Sequence, residues 1–345
     1  MKSLFNKMMP YFIGIVASVF VGSVFSLSAQ TATSDETTIQ LEEKTYPVGE
    51  FSALEISDDF EVSLSRGDCA VRVTVDKPLA DYVQVFVRSK TLFVTYDEKA
   101  VPKEVKKLYK GGRKGPQPVF RVSVSMNQLT GISLSDRVIL DCPDSFNGMD
   151  KLEVKLSDKA QLTSLSAEAS VIKVNLRKNA EAIMNLRSLD NRGRIEVSTD
   201  DNTTLKLTAN AYETTVASAG NSVFILNGES TLLTLSSLGK ARVVATERTE
   251  TATCMLSGSS DMAVTGSADD LTIKSEGRSS LDASSFPVKQ VKATMNGGCK
   301  AGISVSDHLE VDLSGGCSLI FSGAPVVRIQ KVEKSTIAPK SANLK

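Results

Sequence analysis

The chain has 345 residues, of which 41% are hydrophobic and 6% aromatic, with no tryptophan. Its 40 lysines and arginines balance its 40 aspartates and glutamates. This length allows one large domain or two. The balanced charge gives no overall attraction to nucleic acid or to an anionic membrane, so we expect no nucleic-acid partner.

Residues 1–29 have the pattern of a secretory signal peptide. Lys2 and Lys7 form a basic start, and an uncharged apolar run of 17 residues extends from Tyr11 to Leu27. The triplet from Ser26 to Ser28 supplies the small residues that precede a signal cleavage point. Because the run is at the lower limit for crossing a bilayer, an uncleaved anchor is the alternative. The sequence predicts export to the periplasm, outer envelope or cell surface, with no transmembrane segment after cleavage.

After the signal sequence, a polar stretch is followed by a stretch in which apolar and polar residues alternate. Residues 30–47 are polar and predict a linker. From Phe51 to Tyr96, apolar residues alternate with polar ones, which is typical of half-buried β-strands. The stretch contains Arg66-Gly67-Asp68, an integrin-type tripeptide. We interpret this tripeptide as an ordinary turn between strands.

Residues 97–118 interrupt the alternation with glycines, prolines and many cations. A short helix is expected between Glu104 and Tyr109. One hypothesis is a basic loop that binds an acidic partner, such as a polyanionic glycan or lipid headgroups; the other is a solvated insertion between two rungs. The candidate binding residues are Lys103, Lys106, Lys107, Lys110, Arg113 and Lys114.

From Leu134 onward the sequence repeats in steps of 18 to 23 residues. Each unit has an apolar or small residue before a turn (the reference column), a small residue four positions later and an apolar residue six positions later. Gly, Asn, Asp and Ser between them tolerate the positive φ of a sharp turn. The reference column, with its earlier member Ile56, contains Ile56, Leu134, Leu156, Leu176, Thr199, Ser218, Ser237, Leu256, Ser275, Met295 and Leu313.

Such a unit cannot bury its apolar face alone, but stacked copies form a continuous core. We therefore predict an all-β fold over residues 48–330, a β-solenoid resembling a right-handed β-helix with rungs of about 20 residues. An ordinary β-sandwich is the alternative. The steps shorten near residue 210, which suggests a sub-division there. Residues 326–329 are expected to form the capping strand, and residues 331–345 a polar tail.

Several of these stretches resemble the head GIN domain, a family of Bacteroidetes-type proteins described as auto-transporter adhesin heads. They are the segment Phe51–Leu64, the repeated Leu-x-Leu-Ser-Gly rungs and the close from Ser314 to Val327. The resemblance implies a secreted or envelope β-solenoid and brings no catalytic residue with it. The chain departs from the family pattern where Ser135-Asp-Arg, Ser157-Asp-Lys and Arg177-Lys-Asn replace the glycine turn.

Cys299 and Cys317 occupy the same repeat position on neighbouring rungs. Their expected Cα separation of ~4.8 Å falls within the disulfide range, and export would permit the bond. Side chains in such a ladder run parallel, which favours two buried thiols instead. Both alternatives stay open. The cysteine spacings and the single histidine, His308, give no metal or cofactor site.

The sequence contains no convincing catalytic cluster. Ser306, His308 and Asp312 lack the setting of a triad, and acid pairs such as Asp58-Asp59 and Asp269-Asp270 fall at predicted turns. We predict a non-enzymatic, adhesin-like solenoid that presents exposed strand faces to a glycan or protein ligand at the cell envelope. One alternative is a carbohydrate-active β-helix enzyme, which needs converging carboxylates. The other is a periplasmic scaffold or signalling partner that self-associates through the solenoid ends.

Overall fold

The computed structural model describes residues 39–109 and 117–340, and the structural statements below concern these residues. They are mostly β-strand and form a β-solenoid of about 11 turns, which confirms the predicted fold class. The predicted signal peptide and residues 341–345 lie outside the described residues.

The described part of the chain forms the following elements. A 3₁₀-helix spans Lys77–Tyr82, and one α-helix, α1, spans Lys103–Leu108. The strands before the regular rungs are β1 (Leu41–Tyr46), β2 (Ala53–Ile56), β3 (Glu61–Arg66), β4 (Ala70–Asp76), β5 (Val83–Arg88), β6 (Thr91–Tyr96), β7 (Phe120–Met126) and β8 (Gly131–Leu134). The strands of the regular rungs are β9 (Ile139–Leu156), β10 (Gln161–Leu176), β11 (Glu181–Ser188), β12 (Arg194–Thr199), β13 (Thr204–Ser218), β14 (Val223–Ser237), β15 (Arg242–Leu256), β16 (Asp261–Gly277), β17 (Ser280–Gly297), β18 (Lys300–Ser314), β19 (Ser318–Ser322), β20 (Val326–Glu333) and β21 (Thr336–Pro339).

The reference column predicted from the sequence is a continuous ladder of paired residues. Each member lies beside the next in parallel register, and every member except the last is buried. Stacking in register places one inward side chain directly above another, so the rungs share one core. The structure extends the predicted column by one residue at each end, Val94 and Val332. In spatial order the ladder is Val94, Ile56, Leu134, Leu156, Leu176, Thr199, Ser218, Ser237, Leu256, Ser275, Met295, Leu313 and Val332.

Each regular rung consists of two strand segments that meet at two corners. In β13, residues 204–211 pair with 223–230 and residues 213–218 pair with 232–237 of the next rung. The tight corner is the turn that follows the reference column, such as residues 219–222. The wide corner is the opposite bend, at residues 209–212, 228–231, 247–250 and 266–269.

The tight corners require a residue in the left-handed region of backbone space. Glycines in the later rungs, from Gly220 to Gly315, have φ between 67° and 103° at these positions. In the earlier rungs Asp136, Asp158 and Lys178 have φ between 54° and 61°. The turns that depart from the family pattern therefore keep a left-handed corner residue, which a short polar side chain such as that of Asp tolerates better than most.

Antiparallel strands close the end of the core that lies beyond the N-terminal rungs. β4 pairs antiparallel with β1 and β7, and β5 pairs antiparallel with β6. β6 then lies parallel to β2, which places Val94 ahead of Ile56 in the ladder although it follows it in the chain. The predicted linker over residues 30–47 is therefore wrong for β1, whose Tyr46 packs against the core.

Two further expectations are corrected by the later rungs. The predicted polar tail is wrong for residues 331–333 and 336–339, because β20 continues to Glu333 and β21 pairs with β19. No boundary occurs near residue 210, since β13 is continuous through it. The irregular rung comes earlier, where residues 189–193 separate β11 from β12. This loop accounts for the 23-residue step between Leu176 and Thr199.

Candidate functional site

A groove of about 580 Å³ lies where residues 97–109 pack beside the tight corners of the first rungs. We call it the insertion groove. One wall consists of three successive tight corners, represented by Asp58, Asp136 and Asp158. The opposite wall is formed by Glu98, α1 and the residues that flank α1. The groove exists because the corners stack in register while residues 97–109 pack beside them.

The floor of the insertion groove is aromatic. Phe120 is buried, and its ring centroid lies 5.4 Å from that of Phe60 and 4.7 Å from that of Tyr96. Tyr96 is half-buried. Burial, with the nearby carboxylates of Glu98 and Asp58, raises the pKa of Tyr96 to about 12. The Tyr96 hydroxyl is therefore a neutral hydrogen-bond donor and acceptor at physiological pH.

Residues 97–109, the described first part of the basic insertion, are docked on the solenoid. Val105 and Tyr109 pack against the core. Burial, and then the carboxylate of Asp76, raise the pKa of the Tyr109 hydroxyl. Of the six candidate binding cations, Lys106 lines the groove, while Lys103 and Lys107 are exposed elsewhere on α1. The other three, Lys110, Arg113 and Lys114, lie outside the described residues.

Most acids of the tight-corner wall are engaged in local contacts. Asp58 accepts a hydrogen bond from the backbone N–H of Tyr96 at 2.9 Å and donates its own N–H to Asp136 at 3.3 Å. Arg137 binds Asp59 through two nitrogens, one of them at 2.8 Å, and this carboxylate raises the pKa of Arg137. These contacts fix the orientation of the groove wall.

The groove contains more acids than bases among the described residues. Five carboxylates, from Asp58, Asp59, Glu98, Asp136 and Asp158, face three cations, from Lys106, Arg137 and Lys159. Binding of an acidic partner by the basic loop stays a prediction.

Two of the residues weighed for catalysis, Ser306 and Asp269, are engaged in other contacts. The Ser306 hydroxyl donates to Asp307 at 2.6 Å, and His308 is exposed. Asp269 forms an ion pair with Lys289 at 2.8 Å. In the described part of the chain, no three His, Cys, Asp or Glu residues are grouped so that they could hold a metal ion.

The structure has Cys299 and Cys317 as free, buried thiols, which is the second of the two alternatives. The Cys299 sulfur lies 3.2 Å from the Asn296 carbonyl oxygen, and the Cys317 sulfur lies 3.2 Å from that of Ser314. Each thiol can therefore donate to the turn that precedes it. Cys254 is also buried in the core, and burial raises its pKa to about 12.

Sequence reasoning missed a buried acid without a hydrogen-bond partner in the described part of the chain. Glu247 lies at the wide corner of β15, is 1% exposed, and neither carboxyl oxygen has a hydrogen-bond partner among the described residues. Its neighbours in the adjoining rungs are Gly228 and Gly266, which have no side chains. Burial, with a smaller effect of Glu229, raises the pKa of Glu247 to about 8. The sequence did contain a sign of this burial, because the alternation of β15 places Glu247 at an inward position.

Stacked parallel rungs with a groove along the tight corners of the first of them define a β-solenoid. The chain belongs to the head GIN domain family: the family model described as "Putative auto-transporter adhesin, head GIN domain" matches residues 50–228 and 183–325. This confirms the resemblance inferred from the sequence. Among curated proteins, no sequence matches the chain. No helix of the described residues is both long and apolar enough to cross a bilayer.

Several solved structures are similar in part. One is described as a "putative adhesin" from Parabacteroides merdae, with 15% identity over 88% of this chain and 98% of that chain and a TM-score of 0.35. A second, also a "putative adhesin", is from Parabacteroides distasonis, with 15% identity, the same two coverages and a TM-score of 0.37. A third, a "putative lipid binding protein" from Parabacteroides distasonis, has 11% identity over 88% and 98% of the two chains and a TM-score of 0.28.

Proposed function

We propose that this protein is an exported, non-enzymatic, adhesin-like binding protein of the cell envelope. The observation that carries the proposal is the insertion groove, a concave site with an aromatic floor and eight charged side chains among its described lining residues. Ligands bind preferentially in such concave sites. Membership of a family described as adhesin heads supports the proposal. The apolar run before Ala29 supports export.

The contacts of the groove acids favour binding over glycoside hydrolysis. A glycosidase needs two carboxyl groups that differ in protonation and are free to act on one bond. Asp58 instead supports the backbone of Tyr96, and Asp59 is held by Arg137. Asp158 is paired with Lys178 at 3.1 Å. These three acids therefore serve as structural parts of the groove wall.

If the protein is displayed on the surface, protease treatment of intact producing cells will remove the full-length band on a blot while periplasmic control proteins survive. The physical reason is access, since an adhesin must be reachable from outside the cell. A band that survives until the outer envelope is opened would contradict adhesion and leave a periplasmic binding role.

A second candidate function is end-to-end self-association, as in a periplasmic scaffold. β20 pairs with β18 on one side, and its apolar residues are uncovered, with Val326 68% and Ile329 57% exposed. Ile329 and Val332 continue the buried positions of Val311 and Leu313. An unpaired strand edge that exposes core positions is a template for another strand.

For this second candidate, the expected result is a size that increases with concentration in light scattering after gel filtration. Ile329→Lys should shift the protein toward monomer, because it places a charge on the exposed end of the core. Ile183→Lys is the matched control, since Ile183 is 51% exposed on β11 within the stack. A wild type that stays monomeric at all concentrations would exclude this function.

A further inference from the structure

We infer that two copies of this chain associate tail to tail, by antiparallel pairing of their β20 strands about a twofold axis. This inference rests on the second candidate function, self-association through a solenoid end, and specifies which ends meet and in which register. The surface concerned is the edge of β20 that faces away from β18. The inference therefore does not depend on a ligand of the insertion groove.

The first step is the difference between the two ends of the core. The residues of β20 that continue the buried core positions of β18 are Val327, Ile329 and Val332. They are 36%, 57% and 37% exposed. At the other end, the residues of β1 that lie beside the buried valines of β4 are Glu42, Lys44 and Tyr46.

The edge strands at that other end are therefore polar or covered, since β5 also has its inward valines buried or half-buried. A polar terminal unit protects the end of a stacked core. Among the described residues, the C-terminal end has no such unit and exposes apolar core positions instead. The surface of a second copy that matches this apolar end is the same end.

The second step is the symmetry of such a contact. A surface that binds the same surface of a second copy does so about a twofold axis. An axis that crosses β20 along the direction of its side chains places the two strands antiparallel and keeps their inward residues on one side. The N–H and C=O groups on the outer edge of each β20 then form one antiparallel ladder, and the two cores become continuous.

The third step is the register of the two strands. Inward residues must face inward residues if the two cores are to meet, because a slip of one residue turns side chains to the other face. Of the registers that pair most of the eight residues of β20, two satisfy this condition. In the first, Ile329 faces Val332 of the second copy, and Arg328 faces Glu333. The twofold axis forms each of these contacts twice.

The charges of β20 select the first register. Arg328, Lys331 and Glu333 lie beside residues of β18 that alternate with its buried positions, so all three are on the outward face. In the second register Arg328 would face Lys331 of the other copy twice, and like charges directly opposite each other destabilise a strand pair. The first register opposes Arg328 to Glu333 instead. Glu333 also binds Lys331 of its own strand at 2.7 Å, and a carboxylate has acceptor sites for both cations.

The test is light scattering of the purified exported protein over a series of concentrations. We expect the mass to rise to twice that of the monomer and no further, because the twofold contact uses the apolar end of both copies. Arg328→Glu should weaken the dimer by at least about tenfold, since each dimer then opposes two pairs of like charges. Arg328→Glu combined with Glu333→Lys should recover most of the lost affinity. Lys274→Glu is the matched control, because Lys274 is an exposed cation of β16 within the stack.

The outcomes separate this inference from the function on which it rests. A mass that rises beyond two copies would show head-to-tail growth, which overturns the twofold contact and leaves self-association. A dimer that Arg328→Glu does not weaken, or that the double variant does not recover, would overturn the register. A monomer at all concentrations would overturn both the inference and the second candidate function.

Deletion of residues 341–345 checks the competing occupant of the C-terminal end, the chain that follows β21. We expect the deletion variant to form the same dimer as the wild type at the same concentrations. A dimer that forms only after the deletion would show that these residues occupy the end in the full chain, and would overturn the inference.

Discussion

Glu247→Gln is expected to stabilise the protein at pH 8 by on the order of 3 kcal/mol and to have little effect at pH 5. The cause is the setting of the carboxyl group, which is buried at the wide corner of β15 without a hydrogen-bond partner among the described residues. An unpaired charge in such a place is costly, so the folded protein keeps the proton. Glutamine has a similar shape and no charge at any of these pH values.

The sign follows from the two pKa values of Glu247. Its pKa is about 8 in the folded protein and 4.5 in the unfolded chain, where the carboxyl group is fully hydrated. Between these values the folded state binds more protons than the unfolded state, so stability falls as pH rises. The contribution of the neutral carboxyl is fully present below pH 4.5 and is lost as pH approaches 8. The slope from one such group is at most about 1.4 kcal/mol per pH unit.

Urea denaturation from pH 5 to pH 9 measures this effect as a difference between wild type and variant. Glu250→Gln is the matched control, because Glu250 is an exposed glutamate on the same strand. Its curve should run parallel to that of the wild type. If the Glu247→Gln curve is parallel as well, the carboxyl group is hydrated and ionised in the folded protein.

Gly266→Ala is expected to destabilise the protein by roughly 4 kcal/mol, the sum of backbone strain and overpacking. Gly266 has a φ of 112°, a region that residues with a Cβ rarely adopt. A methyl group there would also collide with the backbone carbonyl oxygen of Glu247 in the rung before it. A backbone atom in a paired ladder cannot move away without breaking its own hydrogen bonds.

Thermal and urea unfolding of Gly302→Ala provide the comparison for this second variant. Gly302 lies in β18, and the atom nearest to an added Cβ is 3.8 Å away, which is an ordinary contact. An alanine there should be neutral or stabilising by up to about 1 kcal/mol, since it restricts the unfolded chain. Equal stability of the two variants would show that the wide corner relaxes to admit a side chain.

The regular rungs were predictable because the same pattern of apolar, small and turn residues recurs in each unit of the sequence. A single alternating strand says only which residues share a face, but successive units with one phase identify which residues are neighbours in space. Leu205 and Phe224, six residues after their reference positions, pair as the spacing requires. The tight corners followed from the same columns, because Gly, Asp and Asn recur at one position.

The cap and the ends were not predictable, for a physical reason. β4, β5 and β6 alternate in the same way as solenoid strands, and alternation does not distinguish antiparallel from parallel pairing. The sequence of β1 is polar because an edge strand is held largely by backbone hydrogen bonds. Side-chain polarity therefore gives no sign of this strand. The groove was missed for a related reason: it depends on the packing of residues 97–109 beside tight corners that are distant in sequence.

Because the rungs stack in register, the number of rungs sets the length of the solenoid. Leu156, beside the insertion groove, and Leu313, beside the last rung, are separated by eight rung steps, or about 40 Å at ~4.8 Å per step. One more unit of 19 residues, the interval between Ser218 and Ser237, would add one step without changing any groove residue. In this architecture the length of the solenoid can therefore change without any change in the residues of the insertion groove.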